Sequence, residues 1–268
     1  MNQNSKTIGG KRIARNTLFL YFRMLVSMGV SLYTSRVLLN ILGVEDFGIY
    51  NLVGGLIVIL GFFNSAMASA TQRFLNIELG YGNSKKLQEV FSTSMIIHLL
   101  VAVIVFILAE TIGIWFINTY LSIPGDRISA ANWVFQFSIA AFIISIVSVP
   151  YNAVIIAHER MSAFAYISIL EVVLKLVVVL ILPFLLFDKL IIYAFLIFIV
   201  SLIIRIIYGI YCSSNFRECH VIFRLNKPLF KSLLSFSSWS LFGNLGYILH
   251  TQGISIVLNV FFGATVNA

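Results

Sequence analysis

Charge is scarce in this sequence. Only 10% of its 268 residues are Asp, Glu, Lys or Arg, and 60% are hydrophobic. A soluble domain carries about 25% charged and about 45–50% apolar residues. So few polar side chains cannot coat a water-facing surface, which excludes a soluble globular enzyme. Two cysteines, Cys212 and Cys219, exclude a disulfide framework, and their spacing matches neither a zinc pair nor a redox motif. They read as free thiols. Four prolines and 17 glycines exclude a collagen-like or low-complexity chain. No His-Glu-x-x-His, Walker loop or Gly-x-Ser-x-Gly elbow occurs, and His158-Glu159 has no second His at ligand spacing. No cofactor, metal or catalytic residue is therefore expected, and the chain reads as a non-enzyme. Without a nucleotide-binding loop, an ion gradient or mass action would have to drive any movement of a solute.

Long apolar runs are what the sequence has instead. A membrane-spanning helix needs about 20 predominantly apolar residues. Seven stretches qualify: Thr17–Leu42, Phe47–Phe74, Val90–Ile117, Ile128–Ala157, Ala163–Phe187, Leu190–Cys212 and Leu233–Phe262. Irregular backbone cannot face lipid, so the fold class is an all-α polytopic membrane protein of about seven transmembrane helices. The first stretch contains Arg23 and Arg36 and lacks a small-x-small exit, so it is not a cleaved signal peptide.

The net charge of +8 would suggest nucleic acid in a soluble chain; here it reflects cytoplasmic loops, and no nucleic-acid partner is expected. Lys6, Lys11, Arg12, Arg15, Lys85, Lys86, Arg160, Arg217, Arg224, Lys227 and Lys231 all fall on one side of the seven spans. The other side holds only Arg127 and Lys189, beside Glu45, Asp46, Asp126 and Asp188. By the positive-inside rule the N-terminus is cytoplasmic. Trp115, Trp133, Tyr120 and Tyr193 lie near the outer boundaries, where an aromatic belt sits.

Span 1 ends Leu39-Asn40-Ile41-Leu42-Gly43, and span 7 ends Leu258-Asn259-Val260-Phe261-Phe262-Gly263. Both run from inside to outside. Transporters are often built from repeated halves, so span 7 reads as the first helix of a second half. The expected organisation is a basic cytoplasmic N-terminus (1–16), a six-helix lobe (17–212), a basic cytoplasmic linker (213–232) and the first helix of a truncated C-terminal lobe (233–268).

The run Ser35-Arg36-Val37-Leu38-Leu39-Asn40-Ile41-Leu42-Gly43-Val44-Glu45-Asp46-Phe47-Gly48-Ile49-Tyr50 resembles the opening signature of the polysaccharide and O-antigen flippases. These include the lipopolysaccharide biosynthesis proteins of the multidrug/oligosaccharidyl-lipid/polysaccharide flippase superfamily. Val149-Pro150-Tyr151-Asn152-Ala153 and Ala157-His158-Glu159-Arg160-Met161 are similar to the span 4–5 stretch of bacterial members. The resemblance implies 12 or 14 helices in two pseudo-symmetric lobes around a central cavity, in the bacterial inner membrane. It implies a flippase moving an undecaprenyl-diphosphate-linked oligosaccharide by alternating access. Its partners would be that lipid-linked oligosaccharide, membrane lipids and other polysaccharide-assembly proteins. A cation-coupled multidrug exporter of the same superfamily, or a membrane enzyme of polysaccharide assembly, is the alternative. Bottom-up, Gly43 suits a left-handed helix C-cap and Asp46 an N-cap of the next helix.

Ionisable groups at membrane depth are costly and tend to face an interior. Lys175 lies at the centre of span 5, about 18 Å from either end at 1.5 Å per residue, too deep to snorkel. Glu171 precedes it by four residues, on the same helix face. Arg36 sits about two turns from the outer end of span 1. Arg23, Arg73 and Arg205 lie within about two turns of the cytoplasmic face, from which long side chains snorkel. Arg36, Lys175, Glu171 and Arg23 are the candidate cavity charges, and a cationic cavity suits a diphosphate. Glu110, near the outer end of span 3, reads as a solvated or capped acid. Asn16, Arg23, Ser27, Ser31, Thr34 and Ser35 form a polar stripe that marks a protein-facing side of span 1. In span 7, Asn244 and His250 lie among glycines and polar residues that suggest a broken helix lining a cavity. Pro150 is a candidate hinge.

Overall fold

The computed structural model describes residues 3–121, 123–221 and 226–243. All regular structure among them is helical. The elements are α1 (Gln3–Tyr81), α2 (Ser84–Leu108), a π-helical turn (Ala109–Gly113), α3 (Ile114–Tyr120), α4 (Ile128–Ala157), α5 (Met161–Ile181) with a 3-10 turn (Leu182–Phe184), and α6 (Lys189–Asn215). A short 3-10 turn (Arg217–Cys219) follows, then a helix over residues 227–243, α7. Helices thus stand where the first six apolar stretches lie, and α7 enters the seventh. The remainder of that stretch, with Asn244 and His250, lies outside the described residues.

Apolar composition alone does not end a helix; local chemistry does. Gly43 has φ 78° and ψ 173°, a conformation open essentially to glycine, and it divides α1 into residues 3–42 and 44–81. This is not the left-handed cap expected at Gly43: ψ is extended, so the helix folds back sharply. Asn83 begins α2 by accepting from Lys86 N at 3.1 Å. Asp188 begins α6 by accepting from Leu190 N at 3.0 Å and Ile191 N at 3.3 Å. Each side-chain oxygen satisfies N–H groups that a helix start leaves open.

Contacts along the helices give their directions. Asp46 meets Arg127 just ahead of α4, and Asn64 Nδ2 donates to Ser145 Oγ at 3.3 Å further along it. Residues 44–81 therefore run parallel to α4. Asn16 Nδ2 donates to Glu159 O at 3.4 Å, just ahead of α5, and Phe19 packs edge-on against Tyr166, so residues 3–42 run with α5. The fold is an up-and-down bundle in which α4 touches α1, α2, α5 and α6.

In lipid, helices gain no hydrophobic drive to associate, and close packing must hold them together. Ala131 and Ala153 of α4, Ala66 of α1 and Ala165 of α5 are buried and let backbones approach. One core gathers Phe91, Tyr151, Val179, Leu182 and Cys212, with Phe91 edge-on to Tyr151 at 5.2 Å. A second gathers Ile49, Val53, Ala131, Val134 and Leu190. Apolar side chains also cover the outside, among them Leu25, Met28, Val103, Phe106 and Ile210, as a lipid-facing surface requires. Five helices among the described residues are long and apolar enough to cross a membrane, the first (Ala14–Ile57) running through the Gly43 turn.

Of the proposed belt residues, Trp115, Trp133 and Tyr120 are exposed. Tyr193 is not. It is buried, its ring 4.9 Å from that of Tyr50, a packing contact between α1 and α6.

Candidate functional site

A cavity of about 250 Å3 lies among α1, α4, α5 and α6. α1 contributes Arg23, α4 contributes Ser145, Ser148 and Asn152, α5 contributes Ser168 and Glu171, and α6 contributes Ser201 and Tyr208. Helical spacing makes this wall: Ser145, Ser148 and Asn152 recur at three and four residues, as do Ser168, Glu171 and Lys175. In a chain with 60% hydrophobic residues, this concentration of polar side chains requires protein, not lipid, around it.

Three of the five lining hydroxyls are already committed as donors. Ser148 Oγ donates to Ile144 O at 2.7 Å, Ser168 Oγ to Phe164 O at 2.8 Å, and Ser201 Oγ to Ile197 O at 3.0 Å. Each therefore offers the cavity oxygen lone pairs. Asn152 Oδ1 is buried without a partner. Arg23 supplies the donors: its guanidinium lies 4.8 Å over the Phe164 ring, and its Nε is buried and unpartnered. Lys175 Nζ donates to Glu171 Oε1 at 2.6 Å. With that pair neutral in sum, Arg23 leaves the site with one net positive charge.

The candidate residues separate accordingly. Arg23 and Glu171 line the cavity, and Lys175 reaches it through Glu171. Arg36 stands exposed on α1 and is not among the lining. Pro150 is buried in α4 between Ser148 and Asn152, and α4 is unbroken through it. Arg73 and Arg205 do not simply reach outward: each guanidinium caps an aromatic ring, Phe236 at 4.5 Å and Tyr151 at 4.0 Å. A cation over a ring face is stabilised where water is scarce. The stripe on span 1 is split, with Asn16, Arg23, Ser27 and Thr34 half-buried and Ser31 and Ser35 exposed.

Three features escape the sequence reading. At one end of the bundle, Arg127 binds Asp46 through Nε and Nη2, the Nε contact at 2.8 Å, and Asp188 through Nη1 at 2.6 Å. The hydrogen bond to Asp46 is the main cause that holds the Arg127 guanidinium above its usual range, partly offset by burial and reinforced by Asp188. Asp46 thus serves an ion pair and not the helix cap expected of it. Its signal lay in three outer loops that hold three aspartates, Asp46, Asp126 and Asp188, and one arginine beside span ends. At the other end, His158 hydrogen-bonds Glu218 and stacks on Phe216 at 4.4 Å. Beside it the Cys219 thiol is held above its usual range, chiefly by a hydrogen bond with Cys212 and by burial; both cysteines are free. Third, Glu110 is neither solvated nor a cap: Gln136 Nε2 donates to its Oε2 at 3.2 Å.

The family model described as polysaccharide biosynthesis protein matches residues 13–268. Among solved structures, the chain is similar to an outward-facing multidrug resistance MATE family transporter of the MOP superfamily. That likeness has a TM-score of 0.78 and 15% identity over 94% of this chain and 56% of the other. A MOP superfamily transporter from Pyrococcus furiosus, described as having a binding pocket of reverse polarity, gives a TM-score of 0.74 and 14% identity over 93% and 56%. A MATE transporter in complex with MaD3S gives 0.77 and 15% over 95% and 58%. These likenesses show the fold. The chain spans a little over half the length of these structures. No curated protein matches it.

Proposed function

Since the chain belongs to the polysaccharide biosynthesis protein family, we propose that it forms a lobe of a flippase for lipid-linked oligosaccharide. The substrate is an undecaprenyl-diphosphate glycan of the polysaccharide or O-antigen type, moved across the bacterial inner membrane by alternating access between two lobes. Residues 17–212 supply one lobe, and 233–268 begin the next. The observation that carries this reading is the charge of the cavity. Arg23 is unneutralised among described residues and faces oxygen-rich walls, while Lys175 balances Glu171. A diphosphate is an anion that guanidinium and ammonium groups bind well, and its glycan head needs a hydrated, polar path. Arg36, exposed on α1, meets the same head group between the lobes in this reading. The lipid tail stays in the bilayer throughout.

Surface polysaccharide in a flippase-deficient strain, normalised to inserted protein, tests this. Removing a charge-assisted hydrogen bond costs about 1.5–3 kcal/mol, so Arg23→Gln and Lys175→Gln in the intact protein should each lower export by about tenfold or more. Arg23→Lys and Lys175→Arg should retain most of it, as should Arg36→Lys relative to Arg36→Ala. Wild-type export from both neutral variants overturns the cationic-cavity mechanism. Unchanged polysaccharide with altered tolerance to cationic drugs would favour the exporter instead.

A further inference from the structure

Glu110 stands apart from the cavity just described. It lies in the π-helical turn Ala109–Gly113, ten residues before the end of the span at Tyr120. A π-turn inserts one residue into the helical register and turns its side chains off the regular stripe. Glu110 Oε2 accepts from Gln136 Nε2 at 3.2 Å, while Oε1 is buried without a partner. A carboxylate at membrane depth with one neutral donor is an incomplete site.

No cation among the described residues completes it. α1 has no ionisable side chain between Tyr50 and Arg73. α4 has only Tyr151, and Arg127 just ahead of it is held by Asp46 and Asp188. In its own span, His98 lies twelve residues before it and Tyr120 ten after.

Gln136, which donates to Glu110, also lines a neighbouring cleft. Ser129, Asn132 and Gln136 share one face of α4 and line a cleft of about 510 Å3 that includes Gly125 of the preceding loop. Asn132 and Asn118 exchange hydrogen bonds at 3.1 and 3.2 Å, and such amides both donate and accept.

We propose that Glu110 binds a monovalent cation, a proton or sodium, that arrives from the Arg127 end of the bundle through the cleft lined by Ser129, Asn132 and Gln136. The cation neutralises the carboxylate and occupies the unpartnered Oε1. This goes beyond the flippase reading and does not depend on the identity of the transported substrate.

Trp133 lines the same cleft and reports on it. With the intact protein in lipid nanodiscs, its fluorescence (identified by loss in Trp133→Phe) is followed in two series. One varies pH in sodium-free choline chloride; the other varies sodium chloride at fixed pH. A saturable response is expected in one series, the pH series for a proton and the salt series for sodium, with at least a tenfold loss of amplitude or affinity in Glu110→Gln. Gln136→Leu removes the donor that favours the ionised carboxylate. It should keep the response but move its midpoint by about tenfold in proton or sodium concentration. An identical response in Glu110→Gln, or no response of the parent in either series, overturns the site. Should Glu110→Gln fail to insert, an unchanged midpoint in Gln136→Leu overturns it. Surface polysaccharide reads the flippase function separately.

Discussion

At the residue scale, a side chain's role is decided by partners that sequence spacing encodes only within one helix. Glu171 and Lys175 were legible as a pair because four residues bring them to one face of α5, and they bond at 2.6 Å. Arg23 was legible as a basic residue of span 1, but not as a neighbour of α4, α5 and α6, since no spacing spans separate helices. His158 and Glu218 are 60 residues apart, and no spacing in the sequence signals their contact. Their contact has a consequence for acid stability. Burial alone would raise the Glu218 carboxyl, but hydrogen bonds from His158 and from its own backbone leave it below its ordinary value of 4.5. A depressed folded-state value means the contribution is present above pH 4.5 and is lost as pH falls through the lower, folded value. Glu218→Gln should therefore melt a few degrees below the parent at neutral pH. The gap should close as the pH is lowered past 4.5, as read by thermal-stability size-exclusion chromatography. A gap that stays constant down to pH 3 would refute the linkage.

At the scale of elements, hydropathy located six helices because lipid selects long apolar runs, and it missed their ends because lipid does not determine them. The expected third span, Val90–Ile117, is the inner part of a helical segment from Ser84 to Tyr120, extended at its start by the Asn83 cap. The π-turn within it left no mark on hydropathy. Its register is coupled to packing instead, since a Cβ on Gly113 would collide with the Phe135 ring. Gly43 was legible as a break but not in its geometry. At φ 78° and ψ 173° a side chain costs about 1–3 kcal/mol, although open space surrounds the position. Gly43→Ala should therefore destabilise through backbone strain alone, lowering the melting temperature and the inserted yield, while Gly48→Ala, in open space with ordinary helical backbone, should be near neutral. Equal melting temperatures for parent and Gly43→Ala would remove the strain from the account.

At the scale of the whole molecule, the two ends of the bundle are chemically unlike. One end gathers the Gly43 turn, Arg127 and Asp188, where a single guanidinium joins three helix hairpins through Asp46 and Asp188. The other gathers Asn16, Glu159, His158 and Glu218, together with Glu89, which accepts from Asn226 Nδ2 at 3.0 Å. Residues next to the spans' loops on one side of the sequence pattern thus meet at one end. The charge count predicts their sidedness: in the sequence, eleven basic residues belong to the termini and loops on the side of Asn16 and Asn226, and only Arg127 and Lys189 to the other. Arg127 is moreover neutralised by its two aspartates, so its end carries almost no free positive charge to retain it in the cytoplasm. Reporter fusions after Gly125 and after Asp188 should therefore be active as periplasmic reporters, and a fusion after Asn226 as a cytoplasmic one. Adding two lysines beside Gly125 would weaken this asymmetry without touching the core and should reduce periplasmic activity of the Gly125 fusion. An inverted pattern in the unmodified chain would place Glu110's cleft on the cytoplasmic side and reverse the direction from which its cation enters.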